Sequence, residues 1–304
     1  MAQELYEIFP AVFVNGGTTL AIQQLDSVEP DPQIQELIMR GGGSVDPLLI
    51  ATAMSDPRIK MASRDIQTIL AAVSISSGFY AATSGKIQYR QQANGSDYVS
   101  GSNHVTITSP LAYLYVEECG AKQGDKEAGD ISLTAVPLYN GTTIPLTVNV
   151  SQALTSSVAM NAVHHLGPVK IEGSWLGGVQ SVRIKSGITV ETKASDGLIF
   201  PTTCRIKERA PTIEIEAHNL SIMAAIGMNG TYPISSGFLS YLLKVVPGAG
   251  RYAADTSNHI ATSVSSGVYK VTGITGSKAE SAMGKITVMP TLGNMSINTA
   301  TTVV

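Results

Sequence analysis

Ile75-Ser-Ser-Gly-Phe79 returns unchanged as Ile234-Ser-Ser-Gly-Phe238, 159 positions further along the chain. Other fragments recur around it in the same order. Ser27-Val28 returns as Ser181-Val182, and at that same distance of 154 Ile34 meets Ile188, Gly43 meets Gly197, Pro47 meets Pro201, Pro57 meets Pro211 and Ile59 meets Ile213. Ser102-Asn-His-Val105 returns as Ser257-Asn-His-Ile260, and Gly129-Asp-Ile-Ser-Leu133 as Gly284-Lys-Ile-Thr-Val288, both 155 further on. Solenoid and propeller units run about 20–50 residues, so a period this long has the size of a whole domain. The 304 residues therefore divide into two copies, 1–152 and 169–304, joined by a linker over 153–168. Ser151 to Val163 reads as a short helix ahead of Gly167-Pro168.

Within each copy the apolar period is mostly two. Ile213 and Ile215 alternate with Thr212, Glu214 and Glu216, and Ile188 and Val190 alternate with Thr189, Glu191 and Lys193. Such alternation marks half-buried strands. Ser195-Asp196-Gly197 reads as a turn between strands, and Gly41-Gly42-Gly43-Ser44 as its counterpart in the first copy. One segment per copy has helical spacing instead. These are Arg64 to Val73, with Ile66, Ile69, Leu70 and Val73 on one face and Ser63 as cap, and Leu220, Met223, Ala224 and Gly227 in the second copy. The unit is a mainly antiparallel β-sandwich with a single helix against it.

Composition narrows the function. Charged residues make up 14% and the net charge is −3, which disfavours a nucleic-acid binder held by a basic patch. A surface so poor in charge suits a chain covered by copies of itself. Met1 to Pro10 has acids where a secretion signal wants Lys or Arg, and the longest apolar run, Leu220 to Met228, is half a membrane span. Cys119 and Cys204 form neither a disulfide framework nor a metal spacing, and read as free thiols of a protein made in a reducing cytosol.

Catalytic patterns are missing. The sequence has no Gly-x-Ser-x-Gly elbow, no Walker Gly-Lys-Ser/Thr and no His-Glu-x-x-His. His104 and His259 stand at equivalent places without an acid or thiol at ligand spacing, and read as hydrogen-bonding residues that fix a turn twice over. His164 and His165, being adjacent, cannot chelate one ion from a strand or helix. Glu214 and Glu216 share one strand face about 7 Å apart. Trp175 is the single tryptophan, so an aromatic-lined sugar cleft is disfavoured. We expect no enzyme, no cofactor and no metal.

The strand, turn and strand of Val182-Arg-Ile-Lys-Ser-Gly-Ile-Thr-Val-Glu-Thr-Lys-Ala-Ser-Asp-Gly-Leu-Ile-Phe-Pro201, followed by Ile213-Glu-Ile-Glu216, a helix and closing Gly-x-Ile-Thr/Ser-Val/Leu strands, resemble the major tail tube proteins of long-tailed bacteriophages. The resemblance covers nearly the whole chain and rests on architecture rather than chemistry. It implies two tandem tail-tube-like antiparallel β-sandwich or half-barrel domains, each with one flanking helix. It further implies rings of three subunits with pseudo-sixfold symmetry, stacked into a hollow virion tail assembled in the host cytoplasm. Double-stranded DNA would pass through without specific binding. The partners implied are the chain itself and the tape-measure, tail-terminator and tip proteins, with no membrane.

Elementary geometry agrees with a channel built by several chains. Twenty-four strands at about 4.8 Å spacing and a tilt near 45° enclose a diameter of about 50 Å, enough for a duplex once side chains line the wall. A basic wall would grip DNA and a neutral or mildly acidic one would let it slide. Faces carrying Glu191, Glu214 and Glu216 are therefore expected to line the lumen, and the turns Gly41–Ser44 and Ser195–Gly197 to meet the next ring. The alternatives are a capsid decoration or tail-completion protein, an enzyme with paired sites at His104 and His259, and a tandem β-domain adhesin.

Overall fold

The computed structural model describes residues 5–40, 42, 45–75, 78–92, 99, 101–124, 128–155, 162–245, 259–276 and 281–303. Alternating apolar residues give strands almost throughout. The chain opens with β1 (Tyr6–Asn15), β2 (Thr18–Ile22), β3 (Leu25–Asp31), β4 (Ile34–Met39), β5 (Leu49–Ser55) and β6 (Arg58–Ser63). Helix α1 (Ile66–Ala72) follows, then β7 (Tyr80–Ala82), β8 (Ser84–Gln91), β9 (His104–Ser109), β10 (Ala112–Lys122), β11 (Asp130–Pro137) and β12 (Thr147–Gln152). The same order then runs again. It comprises β13 (His164–Ile171), β14 (Ser174–Leu176), β15 (Val179–Lys185), β16 (Ile188–Lys193), β17 (Thr203–Arg209) and β18 (Thr212–Ala217), helix α2 (Ser221–Ile226), and β19 (Tyr232–Pro233), β20 (Phe238–Lys244), β21 (His259–Val264), β22 (Gly267–Thr275), β23 (Met283–Pro290) and β24 (Met295–Thr301).

The fold is mainly β, and every described strand pair is antiparallel. Sheets β12-β9-β8-β1-β2 and β14-β13-β20-β21-β24 have five strands each, and the hairpins β4–β5 and β16–β17 stand apart as two-stranded sheets. The largest sheet runs β19-β22-β23-β18-β15-β10-β11-β6-β3, with β7 also on β10. Its apolar face carries Met61, Leu114, Leu133, Val182, Ile215 and Ile286, which join Phe13 and Ile87 of one five-stranded sheet and Val169 and Phe238 of the other in one continuous core.

Register repeats as well as order. Val28 faces Met61 in β3·β6, and Val182 faces Ile215 in β15·β18, with a slip just before the preceding serine in both ladders. Strand β10 slips against β11 just after Val116, and β22 against β23 just after Val271. The ladders of β1 and β13 break between Phe9 and Val12 and between Leu166 and Val169. Pro10 and Pro168 sit inside those breaks, where a residue without an N–H costs no ladder hydrogen bond.

Some sequence expectations are corrected. The pentapeptides Ile75–Phe79 and Ile234–Phe238 are not equivalent, because the first precedes β7 and the second follows β19. Tyr80 facing Leu114 corresponds instead to Tyr232 facing Tyr269; Ser76 and Ser77 lie outside the described residues. The Gly129 and Gly284 fragments are displaced by two, since Leu133 faces Met61 and its counterpart facing Ile215 is Ile286. A shift of two preserves the buried face, which is why the fragments match by eye. Strand β13 begins at His164, inside the stretch 153–168 read as linker, and Ser151-Gln152 ends β12 rather than starting a helix; residues 156–161 lie outside the described set.

Both helices are short. Asp65, not Ser63, takes the N-cap position of α1, while the Ser63 hydroxyl accepts the Asp65 N–H at 3.0 Å and donates to Gln23 O at 2.7 Å. Helix α1 buries Ile66, Ile69 and Leu70 and packs on β2 and β24. Helix α2 packs on β22 and stops at Gly227, whose φ of +78° suits glycine.

Candidate assembly interface

One ladder has no counterpart. Strand β10 gives the first half of its outer edge to β7 and the second half to β15, where Glu118 faces Lys185, Cys119 faces Ile184, Gly120 faces Arg183, Ala121 faces Val182 and Lys122 faces Ser181. This is the seam between the two halves of the chain. Close approach there needs glycine, because a Cβ on Gly120 would stand 2.2 Å from Val182 O. Arg183 reaches across to Asp130 at 2.9 Å and Glu118 at 3.4 Å. Burial works to lower its pKa, and the hydrogen bond and charge of Asp130 outweigh that and raise it.

The seam joins unlike edges. It sets the β10 edge of the first half against β15, which is the β3 of the second half. Among the described residues the corresponding free edges therefore sit at opposite ends of the large sheet. At one end is β3, with Asp26, Glu29, Pro30 and Asp31. At the other is β22, whose first half is taken by β19 at Val268 and Tyr269, leaving Gly273 to Thr275 without a described neighbour on that side.

A second contact crosses the seam. Hairpin β16–β17 lies over the first half, where Ile188, Val190 and Cys204 pack on Tyr115, Val136 and Leu138. Ile199 O accepts the Ser55 N–H, and Pro201 O accepts the Tyr139 N–H, each at 2.9 Å. Phe200 stacks on Tyr139 with centroids 6.3 Å apart, and the Thr192 hydroxyl donates to Asp56 at 3.0 Å. Hairpin β4–β5 has the same register, slip included, but a different environment. Ile34, Leu37, Ile38, Met39, Leu49 and Ile50 are all about half exposed on it, and Val45 at its tip is 86% exposed. An apolar patch of that kind on one chain marks a contact surface.

Away from the Tyr115 and Val136 patch under hairpin β16–β17, the other face of the large sheet is polar and carries both signs of charge. Lys185 pairs with Glu214 at 2.7 Å and Lys285 with Glu216 at 2.6 Å. The Lys285 hydrogen bond holds the Glu216 carboxyl below the usual range, and the same bond raises Lys285. Glu214 and Glu216 thus share one face, as the strand pattern requires. Glu191 does not join them: it sits on β16 in the separate hairpin, paired with Arg205 and, at 3.6 Å, with Lys193.

Of the predicted loop residues, Gly42 and Ser195–Gly197 stand at the tips of β4–β5 and β16–β17, while Gly41, Gly43 and Ser44 lie outside the described residues. Asp196 and Gly197 take positive φ, +56° and +74°, and the Leu198 N–H closes the turn on Ser195 O at 3.0 Å. His104 and His259 are buried equivalents: each Nδ1 accepts a backbone N–H, from Gln91 at 3.1 Å and from Lys244 at 3.0 Å, which ties each to the end of the strand beside it. Ser257 and Asn258 lie outside the described residues. Among the described residues no cluster of His, Cys, Asp and Glu could hold a metal ion, and no helix is long and apolar enough to cross a membrane. Cys119 and Cys204 are free, and burial pushes their thiols up to about 12 and about 11. In comparisons with known proteins, no family model and no curated protein matches the chain.

The seam and the bare hairpin go beyond what the sequence reading contains. A signal for the hairpin is present, because Leu37, Ile38 and Met39 are consecutive apolar residues next to a glycine-rich turn.

Proposed function

We propose that this chain is a structural subunit that polymerises head to tail into closed rings, which stack into a hollow tube: the tail tube of a long-tailed bacteriophage, conducting double-stranded DNA. The observation that carries the reading is the seam. A contact between unlike edges leaves the same two edges free at the ends, and its repetition gives a ring when the rotation closes and a filament when it does not. Each half supplies four long strands to the large sheet, β3, β6, β11 and β10 in one and β15, β18, β23 and β22 in the other. Three chains would supply the twenty-four strands of a wall about 50 Å across. Ring closure would cover the β3 and β22 edges, removing an aggregation hazard.

The polar face with Glu214 and Glu216 is the natural wall of such a lumen. Its acids are held by Lys185 and Lys285, so it offers DNA neither a basic grip nor strong repulsion. Glu191, on the hairpin, is not part of that wall. Negative-stain microscopy of the purified protein tests the proposal: hollow rods and rings with three-fold or pseudo-sixfold views support it. Discrete oligomers that never stack would favour a decoration or tail-completion role, and monomers at high concentration would end the ring reading.

A further inference from the structure

Seat and hairpin can be followed through the duplication. In the first half the hairpin tip Ile199–Pro201 rests against Ser55, Pro57 and Tyr139. The equivalent ground in the second half is Arg209, Pro211 and Leu292, from the paired registers of β5·β4 with β17·β16 and of β11 with β23. There, Arg209 to Pro211 and Pro290 to Gly293 line an open groove of about 570 Å³, and Leu292 is 89% exposed. Among the described residues one seat is filled and its duplicate is empty, and one hairpin is docked while its duplicate, β4–β5, has nothing packed over its apolar strands.

We infer that the β4–β5 hairpin of each chain docks in the Arg209–Leu292 groove of the next copy of this chain. The inference rests on the head-to-tail ring proposed above, and it places Val45 to Pro47 where Ile199 to Pro201 lie within the chain. Pro47 O then accepts the neighbour's Leu292 N–H, as Pro201 O accepts the Tyr139 N–H within the chain. Two contacts between hairpin and seat have changed in matched pairs. Where Thr192 bonds Asp56 inside the chain, the equivalent residues are Ile38 and Ala210, an apolar pair. Where Val190 packs on the cluster containing Tyr115, the equivalents are Glu36 and Lys270, an opposite-charge pair. At these two places both sides have changed together, from polar to apolar and from apolar to charged, while the stacked pair Phe200 and Tyr139 is replaced by Asp46 and Leu292.

The test is site-directed cross-linking of the full chain. Pro47→Cys with Leu292→Cys should give, on mild oxidation, a denaturing-gel ladder of dimer and covalent trimer holding most of the protein, while either single variant stays monomeric. Mixing the two single variants should give dimers and nothing larger. Pro201→Cys with Tyr139→Cys, the in-chain equivalent, should close within the monomer. Glu29→Cys with Thr275→Cys probes the sheet edges independently, because these residues correspond to Arg183 and Gly120, which face each other in the seam. The native thiols, with pKa values of about 12 and about 11, stay out of the reaction. Rings with a laddering edge pair but an unlinked hairpin pair would overturn this inference and leave the ring standing. Neither pair linking, with no rings in the microscope, would remove both. Hydrogen exchange on the unmodified protein gives a second readout: protection of the Leu292 amide should rise at least tenfold from monomer to ring, and unchanged protection would overturn the docking.

Discussion

Replacing Gly120 with alanine attacks the seam at its narrowest point. The added Cβ would lie 2.2 Å from Val182 O and 3.0 Å from the Arg183 Cα, both backbone atoms that cannot rotate away. Ordinary contact needs about 1 Å more, so β10 and β15 must separate locally. Overpacking of this kind costs about 1–3 kcal/mol. Separation also weakens the nearest ladder hydrogen bonds, at about 1 kcal/mol each. A total of about 3 kcal/mol is expected, and for a chain of this length that lowers the melting temperature by about 5 °C.

The matched control is Gly273→Ala, on the free half of β22. A Cβ there meets nothing within 4 Å, so the monomer should melt within about 1 °C of the parent. The assay is thermal unfolding of monomer followed by circular dichroism at low protein concentration. If Gly120→Ala and Gly273→Ala melt together, β10 and β15 are not held at the spacing described, and the seam gives no template for a head-to-tail contact.

Three further perturbations follow from the geometry. His104→Ala and His259→Ala each leave a buried backbone N–H without its acceptor and open a void, and should each destabilise the monomer by about 3 kcal/mol; asparagine, whose Oδ1 can take the place of Nδ1, should recover roughly half in a denaturant titration. Cys119 and Cys204, with thiol pKa values pushed up to about 12 and about 11 by burial, should not react with a disulfide reagent at pH 8 in the folded protein and should both react once it is unfolded. The Glu216 carboxyl is depressed by its Lys285 and Ser181 hydrogen bonds, so its stabilisation is complete above its unfolded pKa of about 4.3 and disappears as pH falls through the lower folded value. Screened by solvent, the effect is about 0.5 kcal/mol, and Glu216→Gln should flatten that part of an acid unfolding curve.

Strands are legible because burial of one face writes a period of two into the sequence. Ile213 and Ile215 are buried and Glu214 is exposed, as the alternation requires. The duplication is legible at constant distances, yet its longest identical fragment misleads. Ile234–Phe238 matches Ile75–Phe79 in letters but not in place, because the connections flanking β7 and β19 differ in length. Short turn-forming fragments recur cheaply; facing partners in a ladder do not. The helices are visible from Ile66, Ile69 and Leu70, but the cap falls at Asp65 rather than Ser63, because the first helical residue is Ile66 and the Ser63 hydroxyl takes the Asp65 N–H one turn too early. The seam is not legible at all. Which edge of a sheet meets which depends on contacts between residues 59 to 67 apart, and nothing local around Glu118 or Arg183 announces them; Gly120 gains its meaning only once Val182 is beside it.

The free edges also explain how a chain with two of them avoids pairing like with like. Strand β3 carries Asp26, Glu29 and Asp31 in seven residues, with Pro30 lacking an N–H. Two copies of β3 set antiparallel would bring acids opposite or diagonal to acids in every register that pairs three or more residues, each such meeting costing about 0.5 kcal/mol. The free part of β22, Gly273 to Thr275, has no charge, and Lys270 lies earlier on the same strand. An acidic edge thus meets a neutral-to-basic one only when the contact is head to tail, which is the arrangement that can close a ring. The triple variant Asp26→Asn, Glu29→Gln, Asp31→Asn removes about 1.4 kcal/mol of that discrimination, a factor of about ten in the symmetric association constant. Sedimentation velocity should then show symmetric dimers growing at the expense of the proposed rings. A dimer fraction equal to the parent's would mean that charge does not select the edge, and that the choice lies in the proposed seating of β4–β5.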